Sequence, residues 1–230
     1  MPYEMRRQDN IAFARRNIVD IVYKEAKLEG VGGTYLDAKA VCEGGIVSGM
    51  RARDVVIVNN LMFAWQFVFD TIDETVDVDY LRHLNAVIGS NTGQLRPGEV
   101  RSTEVRVSGT SWRPGIPDGD DIDATLAGLY DEAVDAETRV LTAFARICRG
   151  QFFYDANKRT AQLVANKELI ANGAGTLVIS DEEEWAGKLV GYYESGDEEP
   201  FVDYLKSACI DGLDLPDPQP IAGARAPHGR

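Results

Sequence analysis

The chain has 230 residues, of which 44% are hydrophobic, and this suits one soluble globular protein with a sizeable core. Its net charge of −13 disfavours nucleic-acid binding, because an acidic surface repels a phosphate backbone. No apolar run approaches the roughly 18 residues that cross a bilayer, and the charged start lacks the apolar segment of a secretory signal. We therefore expect a cytoplasmic protein that binds neither membranes nor nucleic acids.

The first third of the chain predicts helices. Residues 1–33 are interpreted as an N-terminal helical extension that ends at the glycine-rich stretch "EGVGG". Thr34 is a candidate cap for a short helix over "YLDAKAVC". The next segment, "RARDVVIVNNLMFAWQFVF", is apolar almost all round, as expected of a helix buried in a bundle. A further helix is predicted over 79–89.

The middle of the chain changes character at 93–117. Glycine and proline border this segment, and valine alternates with charged residues near 104–107, so we predict a hairpin or an extended loop. Residues 122–134 read as helical. The long segment "AETRVLTAFARICRG" then carries apolar residues at helical spacing, which predicts a helix that packs on the core.

The last third predicts three more helices and a short strand. "AQLVANKELIANG" is helical up to Asn172 and Gly173, a common C-terminal signal. "TLVIS" favours a strand, and two amphipathic helices follow over "DEEEWAGKLVGYY" and "EPFVDYLKSACIDGL". The composition of residues 213–230 is typical of a disordered tail. The fold class is therefore all-α, one helical domain with one hairpin.

Cysteines and histidines predict no metal site. Cys42, Cys148 and Cys209 are far apart, odd in number and set in apolar contexts. We interpret them as buried free thiols in a reducing compartment. His83 and His228 lie far apart and form no cluster.

A charged segment lies between the two most apolar predicted helices. Residues 150–160 read "GQFFYDANKRT", with Asp155, Asn157, Lys158 and Arg159 at the predicted start of the second helix. A helix N-terminus attracts anions, whereas cations are unfavourable there unless an anion is also bound. This pattern favours a polyanion site in which Asp155 caps the helix or holds Mg²⁺. An ordinary capped helix with two solvated cations is equally common, so both interpretations stay open.

Two motifs resemble the Fic/Doc family. "QFFYDANKRTA" is similar to the signature loop of that family, with Phe153, Asp155, Asn157 and Arg159 on its Phe, acidic, Asn and first Arg positions. Ala156, Lys158, Thr160 and Ala161 match the Doc version. Upstream, "GEVRSTEVRVSG" resembles the family's hairpin flap, with Arg101, Val105, Val107 and Gly109 in its pattern. The resemblance covers about residues 34–212.

The resemblance implies a fold, an activity and residue roles. It implies an all-α Fic-type bundle with a small β-hairpin flap, which the helix pattern also predicts. Family members transfer part of a nucleotide, most often AMP from ATP with Mg²⁺, to a hydroxyl side chain of a target protein. By analogy, Asp155 binds Mg²⁺, Asn157 orients the phosphates and Lys158 and Arg159 clamp them. Phe153 anchors the loop in the core, and the target segment lies along the flap.

The first departure from the family is Gln151. This residue stands where the family has its catalytic histidine, so we place Gln151 with Asp155 and Asn157 in the catalytic set. A histidine accepts the hydroxyl proton at neutral pH, but a carboxamide cannot. We therefore expect impaired transfer, with a catalytically inactive Fic-fold regulator or a Doc-like phosphate transferase as alternatives. A helical interaction domain with no nucleotide site is the remaining interpretation.

The second departure concerns regulation. Gln162 replaces the second arginine of the Fic branch, which grips the γ-phosphate. In many Fic proteins an inhibitory helix points a glutamate at that arginine. Glu43, followed by Gly44, matches the end of the inhibitory pattern, although Lys39 replaces its Ser or Thr. We therefore take Glu43 as a possible inhibitory residue, or as a solvated helix end.

Overall fold

The structure is a computed structural model that describes residues 3–214. It contains nine α-helices and one two-stranded sheet within this range. The helices are α1 (Arg7–Leu28), α2 (Tyr35–Cys42), α3 (Ala52–Asp70), α4 (Val78–Gly89), α5 (Gly119–Ala127), α6 (Ala136–Gly150), α7 (Asn157–Ala171), α8 (Glu182–Ser195) and α9 (Glu199–Ala208). Strands β1 (Thr176–Leu177) and β2 (Ile210–Asp211) pair antiparallel. The predicted all-α fold class is confirmed.

The antiparallel pair α6 and α7 forms the centre of the bundle. α7 is buried on nearly every side, with α1, α3, α4 and α6 packed around it. Its two charged residues near the C-terminus are paired inside the core, because the Lys167 ammonium donates to the Glu168 carboxylate at 3.0 Å. A buried charge is tolerated only when it is paired and hydrogen-bonded in this way.

The N-terminal helix is part of the same core. Ala14, Ile21, Val22 and Ala26 of α1 are fully buried in the common hydrophobic cluster. The described part of the predicted helical extension over 1–33 therefore packs against the bundle, and one end of α1 lies at the end of the bundle where α7 begins. Thr34 caps α2 as predicted, because its hydroxyl accepts from the backbone N–H of Asp37 in a capping box.

The β structure lies elsewhere than the sequence suggests. Residues 99–118 form an extended loop with a turn at Ser108–Gly109, and no strand ladder joins its two limbs. The extended-loop alternative is therefore correct for this segment. The predicted helix over 122–134 is also shorter: α5 ends at Ala127, a 3₁₀ turn covers Gly128–Tyr130, and the Asp131 carboxylate then accepts from the N–H of Ala133 in a turn.

The remaining predictions differ in outcome. Cys148 and Cys209 are buried free thiols as predicted, but Cys42 is only half-buried at the end of α2. Among residues 3–214, no helix is long and apolar enough to cross a membrane. The tail predicted over 213–230 lies, from residue 215 onward, outside the described residues.

Candidate functional site

The signature loop, residues 151–156, joins α6 to α7 in a tight reversal. Both of its ends have left-handed backbone conformations, with φ of 46° at Gln151 and 61° at Ala156. Phe153 is fully buried, which confirms the predicted inward anchor. The loop is also tied to the neighbouring chain, because Phe153 pairs with Val100 in a β-bridge and the Arg101 N–H donates to the Phe152 carbonyl at 2.9 Å.

Gln151 is held by three groups at the mouth of the site. Its Nε2 donates to the Cys148 carbonyl at 2.7 Å and lies 3.4 Å from the Tyr193 hydroxyl, and its Oε1 accepts from Asn157 Nδ2 at 3.1 Å. Carbonyls only accept and amide N–H groups only donate, so the partners agree on one orientation of the carboxamide. The residue at the head of the loop is therefore preorganised even without an imidazole.

Asn157 fixes the shape of the loop. Its Oδ1 accepts from the Phe153 N–H at 2.8 Å, and its Nδ2 donates to the Phe153 carbonyl at 2.9 Å. With the Gln151 contact, the buried amide uses both of its ends inside the loop. Asn157 thus holds the loop and the head residue in place. Its role in orienting phosphates stays a prediction.

The first turn of α7 has unpaired donors. Ala156 precedes the helix without a side-chain cap, and within the described chain the backbone N–H groups of 157–159 have no acceptor. The Arg159 side chain is only 7% exposed, yet its Nε and Nη1 have no hydrogen-bond partner. Buried donors of this kind are costly unless they meet an anion. We call these N–H groups, with the Lys158 and Arg159 side chains, the anion site.

The glutamate that directly follows α1 already contacts the anion site. Glu29 Oε2 lies 3.2 Å from Arg159 Nη2, and its Oε1 lies 3.8 Å from Lys158 Nζ. Backbone bonds of the α1 end fix its place: the N–H groups of Glu29 and Val31 donate to the Ala26 carbonyl, and Gly30 turns with a φ of 70°.

The interpretation of Glu43 is corrected by this geometry. Glu43 is exposed and pairs with Lys39 at 3.6 Å on its own helix, so α2 does not direct it at the anion site. Glu29, followed by Gly30, has the same Glu–Gly pair one helix earlier. The Glu29–Gly30 pair was the signal in the sequence for the glutamate that contacts the anion site. The choice between the two depends on which helix end faces α7.

A second carboxyl group is buried beneath Glu29, one turn back on α1. Glu25 is 1% exposed, and its Oε2 accepts from the indole N–H of Trp65 at 2.9 Å. Burial raises its pKa to about 8, although the Trp65 bond and the charge of Arg159 act in the opposite direction. The sequence offered no signal for this group, because only packing brings Glu25 towards Arg159.

Asp155 lies at the edge of the site with half of its side chain exposed. Its Oδ1 accepts from the Ala156 N–H and is 3.7 Å from Arg159 Nη2. The carboxylate therefore steadies the turn before α7, but it is not the residue preceding the helix. No partner is seen for Oδ2 among the described residues.

These elements surround one cavity of about 590 Å³. Gln151, Asp155, Asn157 and Lys158 line one wall, together with Glu29. α8 also lines the cavity, with a largely apolar face that includes Trp185, Leu189, Val190 and Tyr193. Apolar walls with a few converging polar groups are characteristic of small-ligand sites. Sequence reasoning missed the α8 wall, which lies more than 20 residues beyond the motif.

The flap, residues 98–117, borders the same cavity. Arg106, Val107 and Ser108 line it, Val105 is half-buried, and Gly109 forms the tip with a φ of 81°. Arg101 differs from its predicted place on a target-binding surface, because it is 1% exposed. Its guanidinium donates to the carbonyls of Gln151, Thr103 and Gly115, so it holds the flap base to the loop.

Comparison with known proteins identifies the fold. No family model and no curated protein matches the sequence. Among solved structures, a Fic domain containing signaling protein from Bacteroides thetaiotaomicron has a TM-score of 0.74 at 18% identity, over 88% of this chain and 86% of that chain. A fragment of Fic-1 from C. elegans has 0.72 at 21%, over 84% and 61%. A Fic family protein from Desulfovibrio desulfuricans has 0.68 at 18%, over 84% and 62%.

The chain therefore has the Fic fold, as the sequence motifs predicted. It spans only about three fifths of the C. elegans and Desulfovibrio chains. At identities of 18–21% the likeness concerns the fold, so function must be argued from the residues of the site.

Proposed function

We propose that this Fic-fold protein binds ATP with Mg²⁺ and transfers AMP to a hydroxyl side chain of a target protein, with impaired activity because Gln151 replaces a histidine. The observation that carries the proposal is the anion site. Unpaired backbone N–H groups and two partnerless nitrogens of the buried Arg159 lie in the first turn of α7, and Asn157 and Lys158 of the same turn line the cavity. This combination suits the phosphates of a nucleotide.

The donor set fits ATP. Arginine and lysine next to a helix N-terminus neutralise phosphate charge and stabilise the charge that develops as a phosphoanhydride bond breaks. The apolar face of α8 offers a surface for the base of the nucleotide. Glu29 contacts both cations, so it competes with a phosphate for them.

The chain also fits a magnesium ion of the kind that accompanies phosphates. Mg²⁺ at such sites takes one or two carboxylates and completes its coordination with water and phosphate oxygens. Asp155 supplies one half-exposed carboxylate with a free oxygen beside the anion site. No group of three or more metal-binding side chains occurs within residues 3–214.

Gln151 limits the chemistry. The attacking hydroxyl must lose its proton, and a carboxamide at this position can orient the hydroxyl without accepting that proton. Removing a general base lowers a rate by roughly 10²–10⁴-fold. Gln151 Nε2 donates to the Cys148 carbonyl. A histidine at this position can make the same bond with its Nδ1–H, which leaves the imidazole Nε2 to act as the base.

The experiment that tests the proposal uses ATP labelled on either the α- or the γ-phosphate, with the native chain and with Gln151→His. The substrates are the protein itself and a cell extract. We expect α-label on protein, weak for the native chain and about 10²–10⁴-fold faster for Gln151→His. Arg159→Gln in the His background is the control and should abolish labelling.

The alternatives give different results in the same assay. Label from the γ position alone identifies a Doc-like phosphate transferase, which Gln162 in place of a second arginine favours. An ATP-Mg²⁺ melting shift without label in either background identifies an inactive nucleotide-binding regulator. Absence of both the melting shift and the label refutes a nucleotide site and leaves an interaction domain.

A further inference from the structure

The second limb of the flap, residues 110–117 after the turn, is fastened to α8 through one carboxylate. Glu194 accepts from the Thr110 hydroxyl, from the Ser111 N–H at 2.6 Å and from the Ser111 hydroxyl at 2.8 Å. These three donors lie next to each other at the start of the limb. They hold the pKa of Glu194 below its usual value, because each bond stabilises the charged form.

The next residue of the limb packs on the neighbouring residue of α8. The Trp112 ring stacks on Tyr193, with centroids 5.4 Å apart and planes 17° apart. The Arg149 guanidinium lies 4.6 Å from the Trp112 ring centroid, so the indole packs against both an aromatic ring and a cation.

Tyr193 connects this packing to the head of the signature loop. Its hydroxyl donates to the Cys148 carbonyl at 3.2 Å and lies 3.4 Å from Gln151 Nε2. Consecutive residues of α8 therefore contact the flap, through Glu194, and the head residue, through Tyr193. The two limbs have no backbone hydrogen bonds to each other, so a ladder cannot supply this alignment.

We propose that Glu194 and Trp112 are positioning residues that hold the flap in a fixed place relative to Gln151. The three hydrogen bonds and the stack set the distance between a segment lying along the flap and the head of the signature loop. This use of the flap rests on the proposed function, but the contacts and their tests do not. The base of the flap has separate ties, through Arg101, which holds Thr103 and Gly115, and through the Tyr154 hydroxyl, so loss of Glu194 should free the tip between them, which includes Arg106.

Limited trypsin digestion reports opening of the flap through cleavage at one peptide bond, the bond after Arg106. Arg106 is exposed near the tip, Arg101 is buried, and Arg113 precedes a proline, which blocks cleavage. Cleavage after Arg106 should be about tenfold faster in Glu194→Ala than in the native chain, because proteolysis follows the population of the opened segment. Glu194→Gln retains an acceptor and should lie between them.

The matched control is Glu183→Ala. Glu183 is an exposed glutamate on the same helix, and its side chain makes no flap contact in the structure. It removes the same charge and should leave the cleavage rate unchanged. Ser111→Ala, which removes a donor from the flap side, should accelerate cleavage. Equal cleavage of Glu194→Ala and the native chain, or equal acceleration by Glu183→Ala, overturns the inference.

A second measurement separates positioning from local anchoring. Gln151→His introduces an imidazole whose titration can be followed by NMR, with His83 as an internal reference. Adding Glu194→Ala or Trp112→Phe should shift the titration midpoint of that imidazole by about 0.5 pH unit, since its surroundings change with the flap. An unchanged midpoint overturns the link to the head residue.

Neither readout requires a nucleotide. A chain that labels with ATP but shows no effect of Glu194→Ala refutes this inference and leaves the proposed function intact. A chain whose flap opens in Glu194→Ala but that never responds to ATP-Mg²⁺ refutes the proposed function and leaves the positioning role intact.

Discussion

Replacing Glu29 should make the nucleotide bind more tightly and the free protein less stable. Its carboxylate lies 3.2 Å from Arg159 Nη2, where both side chains are largely buried, and in the proposed function a phosphate displaces it. A hydrogen bond to a charged group contributes about 1.5–3 kcal/mol. The longer contact with the 40% exposed Lys158 adds little. Glu29→Gln should therefore lower the Kd for ATP-Mg²⁺ roughly tenfold to a hundredfold.

The same substitution should reduce stability without ligand. Arg159 already has two nitrogens without partners, and loss of the ion pair leaves the buried guanidinium less compensated. The free energy of unfolding should fall by about 1–3 kcal/mol. Titration calorimetry measures the affinity, and denaturant unfolding measures the stability. Opposite signs in the two measurements are the signature of a residue that competes with the ligand.

Glu43→Gln is the matched control. Glu43 also ends a helix before a glycine, but it is exposed and pairs only weakly with Lys39. We expect no change in affinity and at most a small change in stability. The reasoning is refuted if Glu29→Gln binds ATP-Mg²⁺ no better than the native chain, or if Glu43→Gln tightens binding equally.

Three further predictions concern the support of the site. Between pH 5 and 8 the folded chain keeps the Glu25 proton that the unfolded chain has lost. As the pH rises through this range, the free energy of unfolding of the native chain should therefore fall by about 1.4 kcal/mol per pH unit relative to that of Glu25→Gln. The same pH dependence of the unfolding free energy in both chains would contradict this. Arg101→Lys should lose about 2–4 kcal/mol of stability, since an ammonium cannot reach the three carbonyls that the guanidinium bonds; an unchanged denaturation midpoint argues against that role. Asn157→Ala should weaken ATP-Mg²⁺ binding at least about tenfold by releasing Phe153 and Gln151, whereas native affinity in calorimetry would show that the loop holds its shape alone.

The sequence was sufficient for the local features. Apolar periodicity predicted α6 and α7, since a buried helix needs that spacing whatever its neighbours are. Residue chemistry predicted a polar loop at the start of α7 and a residue at its head unable to act as a base. The capping role of Thr34 followed from a bond between residues three apart. Such features depend on contacts close in the chain, which sequence reasoning can follow.

Contacts distant in the chain required the tertiary structure. Glu29 meets Arg159 across 130 residues, and Glu194 meets Thr110 across 84, distances at which no local pattern selects a partner. Arg101 matches a flap motif in the sequence but is buried by the fold. The two Glu–Gly pairs, at 29–30 and 43–44, are alike as sequence. They differ because α1 ends against the start of α7, whereas α2 ends in solvent.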